Sequence, residues 1–182
     1  MNIYETLGIQ PVINAQATLT RLGGSLMPPE VLAAMADAAR SFINLDELQL
    51  RVGERIADLT HNEAAYVSSG AAAGLVLATA SCITGLDPDL IFTFPDLKGL
   101  KNEVIVHKSH RNGYDYAVRQ VGAKIIEIGE PEKTTRADFE QAITPKTAAF
   151  FWFQGAMNQP GDLSFSEVID VAKAYNIPVV VD

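Results

Sequence analysis

The order of the apolar runs constrains this chain more than any single residue does. Val104–Val106, Lys124–Ile128, Thr147–Phe153 and Val179–Val181 each read as strands, and helical stretches separate them. Their β-branched and aromatic residues do not alternate with polar ones. A strand covered on one face alternates, whereas a strand covered on both faces does not. Strand–helix repetition with such strands predicts an α/β protein with a mostly parallel sheet between two helical layers. We place this three-layer α/β/α domain at residues 61–182 and an N-terminal helical arm at residues 1–60.

The finer reading follows from local signals. Residues 1–27 look irregular, broken by Pro11, Asn14, Gly23 and Gly24. Proline at the first turn favours a helix from Pro28 through Arg40. Leu48, Val52, Ile56 and Leu59 share a helical face, and Asp46 is the expected cap. Ala64–Val67 is a short strand candidate. A helix is expected to Ile83, then a loop from 84 to 102, a helix over 112–121 and another over 135–143. Ser164 with Glu167 forms a capping box that opens a helix to Tyr175.

Composition narrows the class. Hydrophobic residues make up 48% and charged residues 20%, a globular balance that excludes disorder. A net charge of -8 disfavours a broad electrostatic grip on nucleic acid. The single cysteine, Cys82, has no internal partner for a disulfide, which fits a reduced, cytoplasmic setting. Met1–Glu5 shows no signal peptide, and no apolar run is long enough for a membrane span. The longest run, Ala71–Ile83, suits a buried helix. No metal-ligand cluster is read from the sequence.

Four stretches carry possible chemistry. The first is Ser68-Ser69-Gly70-Ala71-Ala72-Ala73-Gly74, at a turn into a helix. Small residues there leave backbone N–H groups open to a phosphate, and the helix dipole favours its charge. The run is neither a P-loop nor a dinucleotide fingerprint, and it equally suits a tight strand-to-helix connection. The acidic residues nearest the offset a dinucleotide site needs, Asp87 and Asp89, fall in a loop. The second is the polar cluster Lys108–Asp115, beyond a buried strand where open sheets bind ligands. His110 in it is placed to stack on a planar ring. The third is the turn Gly155–Gly161, where Asn158 can donate to a phenolate oxygen or simply form the turn. The fourth is Asp182, after an apolar strand, where a carboxylate beside a ring nitrogen favours its protonated form. Together they suggest a pyridoxal-phosphate site.

In this order the stretches resemble the aminotransferase-type pyridoxal-phosphate fold (fold type I). The branch they most resemble is the selenocysteine synthase–like one, which includes D-glucosaminate-6-phosphate ammonia-lyases. The resemblance is carried by IYETLGIQPVINAQATLTRLGGSLMPPEVLAAM, VSSGAAAG, KNEVIVHKSHRNGYDYAV and AYNIPVVVD, which span nearly the whole chain. It implies that Ser69, Gly70, Ala71 and Ala72 hold the cofactor phosphate. It further implies that His110 stacks on the ring, that Asp182 binds the pyridine nitrogen, and that Asn158 reaches the ring hydroxyl. His110 and Asp182 would be the catalytic residues. Thr20, Arg21 and Gly23 become candidates for substrate contact.

The implied activity is a lyase reaction or related transfer at the α-carbon of a small amine-bearing substrate, in a cytoplasmic homo-oligomer. Aminotransferase, aldolase, racemase and selenium-transferase chemistry on the same fold are the alternatives; the acidic charge balance ranks tRNA lower as a substrate. One departure is large. The family's cofactor-binding lysine follows the strand that ends in this Asp, and the seven lysines here, 98, 101, 108, 124, 133, 146 and 173, all precede it. The expectation is an incomplete large domain without turnover of its own. It would be the N-terminal part of a longer enzyme, or a non-catalytic half completed by a second chain.

Overall fold

A computed structural model describes residues 2–155 and 158–182. Met1, and Ala156 and Met157 of the 155–161 turn, lie outside the described residues. The chain divides into two compact units, residues 1–66 and 67–182.

The first unit is helical. α1 (Ile3–Thr6) carries a capping box between Asn2 and Glu5, so the segment read as wholly irregular begins with one helical turn. A 3-10 turn follows at Thr20–Leu22. α2 (Pro29–Ala38) opens on proline, as its fixed φ favours. α3 (Leu45–Thr60) starts two residues earlier than its apolar period suggests. Its cap is Asn44, whose side chain accepts from the N–H groups of Asp46 and Glu47. Asp46 is therefore inside the first turn, where its charge complements the helix dipole. Ala64–Val67 forms no strand and pairs with none of the strands of the sheet described below.

The second unit is the predicted α/β domain. α4 (Ala71–Thr84) leads into β1 (Glu103–His107), α5 (Tyr116–Gln120), β2 (Lys124–Ile128), α6 (Arg136–Ala142), β3 (Thr147–Trp152), α7 (Phe165–Ala174) and β4 (Val179–Val181). The loop before β1 contains a 3-10 stretch at Pro88–Thr93. The helix expected over 112–121 splits into a 3-10 turn, Gly113–Asp115, and the short α5. Capping boxes at Thr135–Asp138 and Ser164–Glu167 start α6 and α7.

All four strands are parallel, in the order β2-β1-β3-β4. Alternation along the strands divides the core in two. Val104, Val106, Ala149, Phe151 and Phe153 pack with Leu75 and Ile83 of α4 and Val118 of α5. Ile105, Ile128, Phe150 and Trp152 pack with Phe139 of α6 and Val168 and Val171 of α7. The inner strands β1 and β3 are thus covered on both faces, which is why they read as nearly unbroken apolar runs. Among the described residues no helix is long and apolar enough to cross a membrane.

Candidate functional site

The carboxyl end of β1 supplies the first functional side chains. His107 ends the strand, and one 3-10 turn, Lys108–His110, brings His110 beside it. Both imidazoles have no exposed surface. They lie on the α7 side of the sheet, where His107 meets Phe150 and Trp152 edge-on and His110 meets Trp152 edge-on at 4.9 Å between ring centres. The two histidine rings are 4.7 Å apart.

The turn after β3 closes around them through Asp162. The Ser109 hydroxyl donates to Asp162 Oδ1 at 2.6 Å, and the Gln159 N–H donates to Oδ2 at 2.7 Å. His110 Nε2 lies 3.1 Å from Oδ2, and His107 Nδ1 lies 3.9 Å from Oδ1 and 3.1 Å from the Thr134 hydroxyl. Asn158 stands over the same histidine, with Nδ2 2.8 Å from His110 Nε2 and 3.2 Å from the Phe153 carbonyl it donates to. Its Oδ1 accepts the Gly155 N–H at 2.7 Å, which fixes the orientation of the amide.

Burial dominates the electrostatics of the two histidines. It pushes His107 down to about 4, with the neighbouring His110 acting in the same direction and Asp162 opposing. It lowers His110 as well, against the pull of Asp162. Asp162 itself would be raised by its burial. The Ser109 and Gln159 hydrogen bonds, with the facing histidines, hold its carboxyl below the ordinary range instead. At neutral pH the cluster is therefore one carboxylate between two neutral imidazoles.

Asp182 belongs to the other side of the sheet. Its N–H donates to the Trp152 carbonyl at 3.0 Å, and its own carbonyl accepts from Gln154 at 2.8 Å. These bonds continue the β3–β4 ladder past Val181. Val179 packs on the α7 face and Val180 on the α4 face, so the strand period places the Asp182 side chain on the α4 face. The residue is exposed. On that same side, α4 opens at Gly70, whose φ of +116° is a backbone conformation that favours glycine, and no side chain caps the helix N-terminus. Ser69, Gly70, Ala71 and Ala72 are exposed, leaving the first-turn N–H groups open to an anion.

The structure thus brings His110 and Asn158 together, and puts Asp182 and the 69–72 turn on the α4 side of the sheet. His110 sits on the opposite side and is fully enclosed. Thr20, Arg21 and Gly23 are exposed residues of the first unit, in and just after its 3-10 turn. Sequence reasoning missed Asp162, Ser109, His107 and Thr134. A polar residue closing the buried strand Glu103–His107 was a usable signal. Asp162 gave none, since it follows Pro160-Gly161 and reads as plain turn chemistry.

The D-glucosaminate-6-phosphate ammonia lyase of Salmonella typhimurium is 38% identical over all of this chain and half of its own length. A solved structure of D-glucosaminate-6-phosphate ammonia-lyase superposes with a TM-score of 0.95 at 37% identity, covering 100% of this chain and 51% of that one. The chain is thus similar, over its whole length, to about half of D-glucosaminate-6-phosphate ammonia-lyases. A 5'-C-glycyluridine monooxygenase-decarboxylase from Streptomyces sp is 32% identical over 98% of this chain and 47% of its own. The L-seryl-tRNA(Sec) selenium transferase of Geotalea uraniireducens is 28% identical over 90% of this chain and 36% of its own. An alanine aminotransferase from Pyrococcus furiosus shares the fold, with a TM-score of 0.54 at 21% identity over 98% of this chain and 46% of that one. No family model matches the sequence. The chain spans about half the length, or less, of these curated relatives.

Proposed function

We propose that this chain supplies part of the cofactor site of a pyridoxal-phosphate-dependent enzyme. The enzyme acts at the α-carbon of an amino acid or amino sugar acid, by elimination or a related transfer. One observation carries the reading. A helix N-terminus without a side-chain cap and a carboxylate at the end of the edge strand β4 belong to the same side of one parallel sheet. The chain's full-length match to an ammonia lyase supports it.

The residues fit the cofactor's chemistry. The turn at Ser69–Ala72 offers N–H donors and positive helix-end potential to its phosphate. The Asp182 carboxylate favours a protonated pyridine nitrogen. The Asn158 amide is the donor for the ring oxygen. When bound, the cofactor supplies an electron sink for charge developing at the substrate α-carbon. The protein's part is to hold the phosphate, keep the ring nitrogen charged and set the ring's orientation. A homo-oligomer in the cytoplasm acting on a small amine substrate belongs to the same proposal.

A second reading keeps the site and changes the reaction, since relatives above 30% identity carry the names of both an ammonia lyase and a monooxygenase-decarboxylase. The full-length protein tests both. A visible absorbance band with pyridoxal phosphate, fixed by borohydride as a mass adduct, is the expected result; its absence overturns the cofactor assignment. Product analysis with amino acids and amino sugar acids then separates ammonia release from the other outcomes.

A further inference from the structure

The Asp162 cluster is not explained by packing, because an apolar residue would fill the same buried position without a charge. Its carboxylate is nearly enclosed, with 3% of the side chain exposed, and it takes three donors from three directions: Ser109 Oγ, Gln159 N–H and His110 Nε2. An ionised carboxylate only accepts, so the contact with His110 requires the imidazole proton on Nε2. His110 Nδ1 is then a bare lone pair, and that atom is buried without a hydrogen-bond partner.

Asn158 competes for the same nitrogen. Its amide orientation is fixed by the Gly155 N–H, so Nδ2, a donor, faces His110 Nε2 at 2.8 Å. An Nε2 that carries a proton cannot accept from Asn158; an Nε2 without one can, but then it turns its lone pair toward the Asp162 carboxylate. The imidazole serves one neighbour or the other.

We propose that Asp162 is a positioning residue. Its charge holds the His110 proton on Nε2 and so denies that nitrogen to Asn158 as an acceptor, leaving one Asn158 N–H on the Phe153 carbonyl and the other free for a ligand oxygen. The role of Asn158 toward a ring oxygen rests on the function proposed above; the control of His110 by Asp162 does not. Asp162 also ties the 158–162 turn to the end of β1 through Ser109, so orientation and tautomer are set by the same group.

The test uses the ¹⁵N-histidine-labelled full-length protein. Two-bond proton–nitrogen spectra of the ligand-free wild type are expected to show His110 as the Nε2–H tautomer. A wild-type Nδ1–H tautomer overturns the proposal with no variant needed. Asp162→Asn removes the charge at nearly constant shape, and His110 is expected to move to the Nδ1–H tautomer and accept from Asn158. An unchanged tautomer in this variant also overturns the proposal. Pyridoxal phosphate is the binding probe, with roughly tenfold weaker affinity expected for the variant, the loss of about one oriented hydrogen bond. Unaltered affinity despite the shifted tautomer overturns the link to Asn158. A wild type that binds no pyridoxal phosphate overturns the proposed function instead, while the tautomer spectra still decide the role of Asp162.

Discussion

Asp182 donates its backbone N–H to the carbonyl of Trp152 at 3.0 Å, so the carboxylate is held in register with β3 one residue beyond β4. The register has a consequence for function. Trp152 turns its indole toward the two histidines, and the alternation that puts it there turns Asp182 the other way, toward α4. The two sides of the sheet therefore differ: an exposed carboxylate and an uncapped helix N-terminus on one, a buried polar cluster on the other.

Replacing Asp182 by Ala tests that difference. The side chain is exposed, so stability should change by no more than about 0.5 kcal/mol in urea titration of the full-length protein. Activity should fall at least about 100-fold, as expected when a preorganised charge is removed from the reacting centre. A parallel loss of stability and activity would mean that Asp182 serves the fold instead.

Gly70→Ala addresses the cradle. An added Cβ meets nothing within 4 Å, so no clash arises. The strain comes from φ of +116° with ψ of 171°, a region essentially reserved for glycine. A loss of about 1–3 kcal/mol is expected from denaturant midpoints, with affinity for pyridoxal phosphate falling more than affinity for pyridoxal. Unchanged phosphate discrimination would remove the turn from the site.

The layered fold was legible because burial of the inner strands on both faces writes itself into sequence as apolar runs, as in Val104–Val106 and Ala148–Trp152. Lys124–Ile128 and Val179–Val181 fall where their β-branched residues put them, and the Ser164–Glu167 box starts α7 as its spacing requires. Caps and short segments were harder. Asn44 and Asp46 are both good caps, and only the turn geometry chooses between them. Ala64–Val67 has strand-like residues but joins no ladder, and a strand exists only as part of one. In the candidate site, Gly70 and Asp182 were proposed from local signals, a glycine turn and a strand-end carboxylate. The Asp162–His110 contact joins residues 52 apart, and no local pattern encodes it.

Gly161→Ala should disturb that contact from a distance. Gly161 accepts the Thr134 N–H at 2.8 Å, and a Cβ on it would lie 1.7 Å from the Glu132 carbonyl oxygen and 2.7 Å from its carbon. Backbone cannot yield as a side-chain tip does, so the 158–162 turn must move. A destabilisation of about 1–3 kcal/mol is expected, together with shifted His110 and His107 imidazole resonances. Wild-type stability and spectra would show that the turn has more room than its packing indicates.

His107 predicts how stability depends on pH. Its folded-state value lies near 4 because burial and the neighbouring His110 disfavour the imidazolium, while an unfolded chain titrates near 6.5. Between those values the unfolded state binds the extra proton and the native state does not. Stability is therefore fully present above about pH 6.5, falls as pH drops toward 4, and levels once the native imidazole also protonates. His110 is shifted in the same direction and deepens the fall. Asp162, held below its ordinary range, adds its own loss only at still lower pH. The His107 contribution is on the order of 3 kcal/mol between neutral pH and pH 4. Urea midpoints measured across pH 4–8 should follow this curve. His107→Gln should make it shallower, because only the uptake at His110 then remains in this range. A variant that keeps the full wild-type slope would place the origin of the acid sensitivity elsewhere in the protein.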